Sequence, residues 1–173
     1  LIEVPLNSPD VWQSLAVLAR SLPADVLFGA GTVLTMADLQ RVRDTGARLA
    51  VMPHTDATMI ANTIQAGQEM ICMPGVSSVT EALTALNAGA RLLKMYPAEL
   101  ITPTVLKAMR TVLPAQAQLF PVGGIDAQNM HAYRKAGADG FGLGGSLYRV
   151  GMSAEELRQS ARNLVQAWHN QIS

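Results

Sequence analysis

One lysine of this 173-residue chain lies among apolar residues, where an ammonium group is unfavourable. Lys94 stands between Leu93 and Met95, in a run that predicts a short strand buried on both faces. Burial removes water from an ammonium group, so either a partner stabilises the charge or the pKa of the amine falls towards neutrality. An amine with a lowered pKa attacks carbonyl carbon, which makes Schiff-base catalysis the leading hypothesis. A structural ion pair, or a buried stem whose amine reaches water, is the alternative.

A carboxylate has a similar setting near the start of the sequence. Glu3 lies in the segment Leu1–Leu6, which also predicts a strand. A buried glutamate without a partner has a raised pKa, and this suits a group that takes and returns a proton near neutral pH. An ion pair of Glu3 with Lys94 that only stabilises the interior is the alternative, although an enzyme can use the same pair for catalysis.

Two glycine-rich segments late in the chain predict an anion site. Gly123 and Gly124 follow one predicted strand, and Gly144, Gly145 and Ser146 follow the next. Backbone N–H groups after the last two strands of an α/β barrel often bind phosphate. For either segment alone, glycines that merely form a turn remain the alternative. The two segments together favour phosphate binding.

Composition excludes several classes of partner. The chain is 49% hydrophobic and 15% charged, and its formal net charge is zero. With no basic run, nucleic acid and anionic membrane surfaces are not expected as partners. The sequence shows neither a membrane-spanning apolar stretch nor a signal peptide, and its single cysteine, Cys72, lies in an apolar run. We therefore expect a cytoplasmic protein.

Metal binding and cofactors are not predicted. The three histidines, His54, His131 and His169, show no i, i+4 pairing and no Cys–His spacing. The glycine-rich runs match neither a dinucleotide-binding fingerprint nor a P-loop, so no nucleotide cofactor is expected.

A recurring pattern organises the chain: a helical stretch ends at glycine, a short apolar strand follows, and proline or glycine closes the strand. Gly46, Gly67 and Gly89 end such stretches at spacings of 21 and 22 residues, and Gly137 ends a later one. Strands are predicted near residues 1–6, 26–31, 49–53, 70–74, 91–96, 118–123 and 139–144. Helices are predicted near residues 9–21, 36–45, 56–65, 78–88, 103–113, 127–135 and 154–170.

Strict strand–helix alternation predicts parallel strands with helices outside them, in a single α/β domain over residues 1–173. Seven units are present, one fewer than the eight of a (β/α)8 TIM barrel. The sequence opens inside a predicted strand and without an initiator methionine. We therefore expect the first βα unit of a TIM barrel to precede Leu1, and a seven-stranded open sheet is the alternative.

The chain resembles the bacterial 2-keto-3-deoxy-6-phosphogluconate (KDPG) and 6-phosphogalactonate aldolases from residue 1 to about residue 170. The motifs of this family occur in order, as Glu3–Pro9, Gly29–Leu34, Leu93–Pro97, Val122–Ile125 and Gly144–Leu147. These class I aldolases are (β/α)8 barrels and usually trimers. The resemblance implies no cofactor and a phosphorylated 2-keto-3-deoxy sugar acid as substrate. It also implies a substrate-binding arginine on a strand that would precede Leu1.

The resemblance also implies roles for individual residues. Lys94 would form the Schiff base, Glu3 would transfer protons, and Thr32 would lie near the pyruvate carboxylate. From the residues alone, Thr32 could equally bond its own turn or cap the next helix. The implied phosphate-binding residues are Gly123, Gly124, Gly144, Gly145 and Ser146. The other expected substrate contacts are Pro53, Pro74, Tyr96 and Val122.

Two positions favour the phosphogalactonate branch of this family. Asn7 stands where the phosphogluconate branch usually has arginine, and Val122 stands where that branch tends to have threonine. The resulting hypothesis is an aldolase that cleaves 2-dehydro-3-deoxy-6-phosphogalactonate to pyruvate and glyceraldehyde 3-phosphate. The alternatives are a phosphogluconate or 4-hydroxy-2-oxoglutarate aldolase, a phosphate-binding isomerase barrel, and a non-catalytic scaffold.

Overall fold

Strands and helices alternate along most of the chain, as the recurring pattern predicts. The exceptions are the strands over residues 71–73 and 75–76, which follow one another, and the last two helices, which have no strand between them in residues 136–153. The computed structural model of the protein describes residues 1–65 and 70–169. The chain divides into two compact units, residues 1–94 and residues 95–173. The strands are β1 (Ile2–Pro5), β2 (Phe28–Gly31), β3 (Leu49–Val51), β4 (Ile71–Met73), β5 (Gly75–Val76), β6 (Leu92–Met95) and β7 (Gln118–Pro121). The helices are α1 (Val11–Ser21), α2 (Met36–Asp44), α3 (Ala57–Gln65), α4 (Val79–Asn87), α5 (Pro103–Arg110), α6 (Met130–Lys135) and α7 (Ala154–His169).

The first unit is built on a parallel sheet with the strand order β1-β2-β3-β4. Its strands are apolar and short, and β3 is buried along its whole length. Leu15, Leu39 and Ile60, one each from α1, α2 and α3, have no accessible surface. Fully burying such a side chain stabilises the fold by about 1.5–3 kcal/mol. The predicted α/β class with parallel strands is therefore confirmed.

Glycines end the helices as predicted. Gly46, Gly89 and Gly137 have φ angles of 79°, 103° and 104°, a left-handed conformation that glycine adopts without a Cβ clash. Gly67, which was predicted to play the same part, lies outside the described residues. The helix predicted to reach residue 170 is described as far as His169.

The second unit begins inside β6. The N–H group of Val122, just after β7, donates to the carbonyl oxygen of Met95 at 3.0 Å. The buried hydroxyl of Tyr133 in α6 donates to the carbonyl oxygen of Ala98 at 2.8 Å. Arg110 in α5 donates to the carbonyl oxygen of Gly137 at 2.7 Å. These bonds connect α5 and α6 to the segments on either side of β7.

The strand predicted over residues 139–144 is not formed. The segment runs parallel to β7 and makes one bridge, between Val122 and Gly142. A Cβ on Gly142 would lie 2.5 Å from a methyl carbon of Val122, so the close approach of the two segments requires glycine there. Without side chains that pack on a pleated surface, this glycine-rich run does not continue the ladder.

Helix α6 begins at Met130, three residues later than predicted. The carboxylate of Asp126 accepts N–H bonds from Gln128 and Asn129, at 2.8 and 3.0 Å, and the Asn129 side chain accepts from the N–H group of Asp126. Such local bonds compete with helical ones and hold residues 126–129 in a turn. In the described part of the chain, no helix is long and apolar enough to cross a membrane.

Candidate active site

Lys94 lies on β6 with 8% of its surface accessible, as the apolar run around it predicts. Its backbone N–H group donates to the carbonyl oxygen of Pro74 at 2.9 Å, which fixes the strand beside the exit of β4. Burial lowers the pKa of the Lys94 amine, and the negative charge of Glu3 acts in the opposite direction. The amine is therefore more readily deprotonated than an exposed lysine.

Glu3 lies on β1 opposite Gly29 of β2. Its carboxylate packs against the α-carbon of Gly31. A Cβ at Gly31 would lie only 1.7 Å from the nearer carboxylate oxygen, so this contact requires glycine. Glu3 as a whole is exposed at this edge of the sheet, so the burial expected from the sequence was wrong, but loss of hydration around the carboxyl group still raises its pKa, while Lys94 lowers it. The two opposite charges are thus within electrostatic reach, as the hypothesis of a functional pair requires.

Thr32 follows Gly31 directly and has a φ angle of 55°. A left-handed conformation is unfavourable for a β-branched residue and costs about 1–3 kcal/mol. A strained backbone persists only where surrounding contacts hold it in place, and such residues cluster at functional sites. The strained backbone at Thr32 is therefore a structural reason, which no sequence pattern supplies, to keep this residue in the candidate site.

Pro53 and Pro74 lie where β3 and β4 end. A Cβ on Gly75 would lie 2.5 Å from the carbonyl oxygen of Pro53, so the backbones of the two strand exits nearly touch. The hydroxyl of Thr55 donates to the carbonyl oxygen of Gly75 at 2.8 Å and holds this approach. Since Pro74 also accepts the backbone N–H bond of Lys94, the structure brings both prolines and the lysine backbone together.

The second unit contains a cavity of about 720 Å³ that we call the glycine pocket. It is lined by all five residues predicted to bind phosphate, Gly123, Gly124, Gly144, Gly145 and Ser146. The predicted substrate contact Val122 lines it too, whereas Tyr96 does not and is 40% accessible. The two glycine segments, about twenty residues apart in the sequence, therefore share one concave surface.

Backbone shape and an unsatisfied hydroxyl make the glycine pocket suitable for an anion. Gly123 and Gly124 have φ angles of 113° and 60°, which few other residues adopt. The Ser146 hydroxyl oxygen is buried without a hydrogen-bond partner among the described residues. A buried hydroxyl without a partner is costly, and an anion at this position would accept its hydrogen bond.

Several residues that line the glycine pocket are not predicted by any sequence pattern noted above. They are Asp126, Gln128, Arg149, Ser160 and Asn163. Of these, Arg149 could have been found from the sequence, because a cation four residues after a Gly-Gly pair is within reach of an anion bound there. Ser160 and Asn163 come from α7, and no local pattern in that helix points to the cavity.

Among the described residues, no group of three or more His, Cys, Asp or Glu side chains is arranged to hold a metal ion. Burial raises the pKa of the Cys72 thiol to about 12, with a smaller opposing effect from Thr63, so this cysteine is not an activated nucleophile. The chemistry that the arrangement supports is therefore attack by an amine, assisted by a carboxylate.

Known proteins with similar sequences are aldolases. Residues 1–161 match the sequence model of the KDPG and KHG aldolases. A protein of Rhizobium meliloti named probable 2-dehydro-3-deoxy-6-phosphogalactonate aldolase is 45% identical over 160 residues, which are 92% of this chain and 74% of that protein. The 2-dehydro-3-deoxy-6-phosphogalactonate aldolase of Escherichia coli is 37% identical over 171 residues, which are 99% of this chain and 82% of that protein.

A solved structure with the same architecture supports the comparison by sequence. The structure described as native KDPGal superposes with a TM-score of 0.93 at 37% identity, and the match covers 98% of this chain and 82% of that one.

Proposed function

The chain belongs to the KDPG and KHG aldolase family, and from this premise we propose that it is a class I aldolase acting on 2-dehydro-3-deoxy-6-phosphogalactonate. The observation that carries the proposal is the buried Lys94 amine, with its lowered pKa, within electrostatic reach of Glu3. The products would be pyruvate and glyceraldehyde 3-phosphate. The two relatives that match 92% and 99% of this chain both have names in the phosphogalactonate branch.

The first half of the mechanism forms a covalent adduct. The neutral Lys94 amine attacks the C2 carbonyl of the substrate, and loss of water from the carbinolamine gives an iminium ion. Burial assists this step because it raises the fraction of neutral amine at a given pH. No metal is needed to polarise the carbonyl, since the positive iminium nitrogen withdraws electrons.

The second half breaks the carbon–carbon bond. Glu3, directly or through a water molecule, takes the proton of the C4 hydroxyl as the C3–C4 bond breaks and its electron pair enters the iminium system. Glyceraldehyde 3-phosphate leaves, and the enamine of pyruvate remains on Lys94. Glu3 then returns the proton to C3, and water hydrolyses the resulting iminium to free pyruvate. The raised pKa of Glu3 suits a group that both accepts and donates a proton.

Substrate orientation would come from the other candidate residues. Thr32, Pro53 and Pro74 would contact the pyruvoyl end, with Tyr96 beside it. Gly123, Gly124, Gly144, Gly145 and Ser146 would bind phosphate, and Val122 would face the carbons between the two ends. Neither a phosphate-binding isomerase barrel nor a non-catalytic scaffold would use Lys94 to form a covalent bond with the substrate. These two alternatives therefore do not explain a buried lysine with a lowered pKa.

The assembly follows from the same premise. We propose that residues 1–173 form one domain of an eight-stranded barrel that associates as a homotrimer in the cytoplasm. Family membership and the parallel strands support this. Analytical ultracentrifugation at micromolar concentration should give a mass near three chains, and a monomer would contradict the trimer.

Reductive trapping tests the proposed function directly. Incubation with pyruvate and borohydride should attach one reduced pyruvate to the protein, and peptide mapping should locate it on Lys94. Lys107 and Lys135 are internal controls, because both are exposed and lie outside the candidate site. No adduct, or labelling spread over all three lysines, would overturn the Schiff-base assignment. Release of glyceraldehyde 3-phosphate from each C4 epimer of the sugar acid then tests the substrate.

A further inference from the structure

The glycine pocket offers hydrogen-bond donors to a phosphate but little positive charge. Glycine N–H groups and the Ser146 hydroxyl are neutral donors. Among the described lining residues, the only charged side chains are Asp126 and Arg149. A phosphate ester is close to a dianion at neutral pH, so the charge balance of the pocket decides how well it binds.

Two acidic residues oppose an anion here, one in the lining of the pocket and one against its glycine pair. Asp126 lines the cavity, and its carboxylate accepts N–H bonds from Gln128 and Asn129. The carboxylate of Glu99 rests on the backbone of the glycine pair, since a Cβ on Gly123 would lie 2.3 Å from its nearer oxygen. Without a cation, a bound phosphate would therefore meet net negative charge.

The loop that carries Arg149 is folded against the pocket by backbone bonds. The N–H groups of Leu147 and Tyr148 both donate to the carbonyl oxygen of Gly144 at 2.9 Å. The N–H group of Met152 donates to the carbonyl oxygen of Arg149 at 3.1 Å, and the N–H group of Arg149 donates to the Met152 sulfur at 3.1 Å. The α-carbon of Arg149 is thus fixed at the wall of the cavity, while its long side chain stays exposed.

The charge of Glu156 acts on Arg149, but its carboxylate is hydrogen-bonded to other groups. Glu156 lies in the first turn of α7, where its carboxylate accepts bonds from the hydroxyl and the N–H group of Ser153, both at 2.7 Å. These bonds lower the pKa of Glu156, and Arg149 adds a smaller effect in the same direction. In residues 1–65 and 70–169 no hydrogen bond or ion pair occupies the Arg149 guanidinium, so its donors remain available to a ligand.

From this arrangement we infer that Arg149 is the cation that binds the substrate phosphate in the glycine pocket and thereby selects phosphorylated over unphosphorylated 2-keto acids. A guanidinium presents its donors in a planar fork that matches phosphate oxygens. The Ser146 hydroxyl and the glycine N–H groups would position the phosphate, and Arg149 would offset the charges of Asp126 and Glu99. This inference rests on the proposed function for the identity of the substrate.

Arg149→Met tests the inference through the preference between two substrates. The kcat/KM for the phosphorylated sugar acid should fall about 10- to 100-fold, mainly through KM, because charge-assisted hydrogen bonds to the phosphate are lost. The kcat/KM for the same acid without phosphate should change much less, so the preference ratio collapses. Arg149→Lys keeps the charge without the fork and should give an intermediate ratio.

Arg158→Met is the matched control. Arg158 is also an exposed arginine of this region, on α7, but it pairs with Glu155 and does not line the pocket. Its substitution should leave the preference ratio at the parent value. A parent-like ratio in Arg149→Met, with thermal stability also unchanged, would overturn the inference. Arg149→Gln repeats the test should the methionine variant fold poorly.

Direct binding separates this inference from the proposed function. Calorimetric titration with inorganic phosphate and with glyceraldehyde 3-phosphate should show dissociation constants about 10- to 100-fold weaker in Arg149→Met than in the parent. Equal constants would overturn the role of Arg149. Failure of the parent protein to trap pyruvate would overturn the aldolase instead, and the phosphate titrations would still decide the role of Arg149.

Discussion

The lysine–glutamate pair (Lys94 and Glu3) and the glycine pocket perform their proposed tasks by opposite means. The pair uses two long charged side chains, partly deprived of water, and this shifts both pKa values. The pocket has mostly small residues and offers backbone N–H groups, one unsatisfied hydroxyl and an exposed arginine. Covalent chemistry requires a group whose protonation state has been altered, whereas anion binding requires donors fixed in space.

This difference predicts that substitutions in the two regions will have effects of different size and kind. Variants of the pair should abolish separate chemical steps. Variants of the pocket should change affinity or selectivity and leave the covalent step intact. The following predictions are ordered from the largest expected effect to the smallest.

Lys94→Met should produce the largest loss. It retains most of the side-chain volume and removes the amine, so the aldol cleavage rate should fall by at least about 10³-fold. Stability should be kept, because burial of a charged amine is no longer required. Cleavage of the phosphorylated sugar acid and thermal unfolding would be measured together. Cleavage near the parent rate would exclude the Schiff-base mechanism.

Glu3→Gln should separate the covalent capture of pyruvate by Lys94 from the later proton transfer. The variant should still trap pyruvate, since Lys94 is intact, but deuterium exchange at the pyruvate methyl group should fall about 10²- to 10⁴-fold. Exchange would be followed by NMR in heavy water. Parent-like exchange in the variant would show that another group carries the proton.

Gly31→Ala should disturb the pair without removing either member. An alanine Cβ would lie 1.7 Å from a Glu3 carboxylate oxygen, so the carboxylate must move. A displacement of about 1 Å can cost about 10²-fold in rate, and deuterium exchange should fall by up to that factor while trapping continues. Gly46→Ala is the control, because a Cβ there meets nothing within 4 Å. Its strained φ should lower stability and leave exchange unchanged.

The pH dependence of trapping should respond to the pair as well. Trapping requires the neutral amine, so its rate should rise with pH through the lowered pKa of Lys94. The charge of Glu3 partly opposes that lowering. Removing the charge in Glu3→Gln should therefore move the midpoint to lower pH than in the parent. The measurement is the trapping rate of the parent and of Glu3→Gln from pH 5 to 10. A higher midpoint in the variant than in the parent would contradict the electrostatic interaction between Glu3 and Lys94.

Val122→Thr should have the smallest effect and acts in the glycine pocket. The two candidate sugar acids differ only at C4, and a threonine offers a hydrogen bond that Val122 cannot. One such bond contributes about 0.5–1.5 kcal/mol, so phosphogluconate cleavage should gain about 2- to 12-fold relative to phosphogalactonate cleavage. The measurement is the ratio of the two kcat/KM values. An unchanged ratio would count against Val122 as the discriminating residue, though not against the aldolase.

Local patterns were sufficient for most of the elements and for the residue types of the site. A lysine in an apolar run is unusual wherever the chain folds, and glycines after apolar strands mark turns from sequence alone. Helix ends at Gly46, Gly89 and Gly137 follow from φ angles that glycine tolerates. These features depend on a residue and its immediate neighbours, which are visible in a sequence.

Contacts between distant residues were decided only by the tertiary structure. The Glu3 carboxylate lies against Gly31, and the Glu99 carboxylate lies against Gly123. Arg149 shares the lining of the glycine pocket with Gly123 and Gly124, which lie about 25 residues earlier in the chain. The same holds for Gly142, where the close approach of Val122 leaves one bridge instead of the predicted strand. Periodicity reports which face of an element is apolar, but packing determines which side chain of another element meets it.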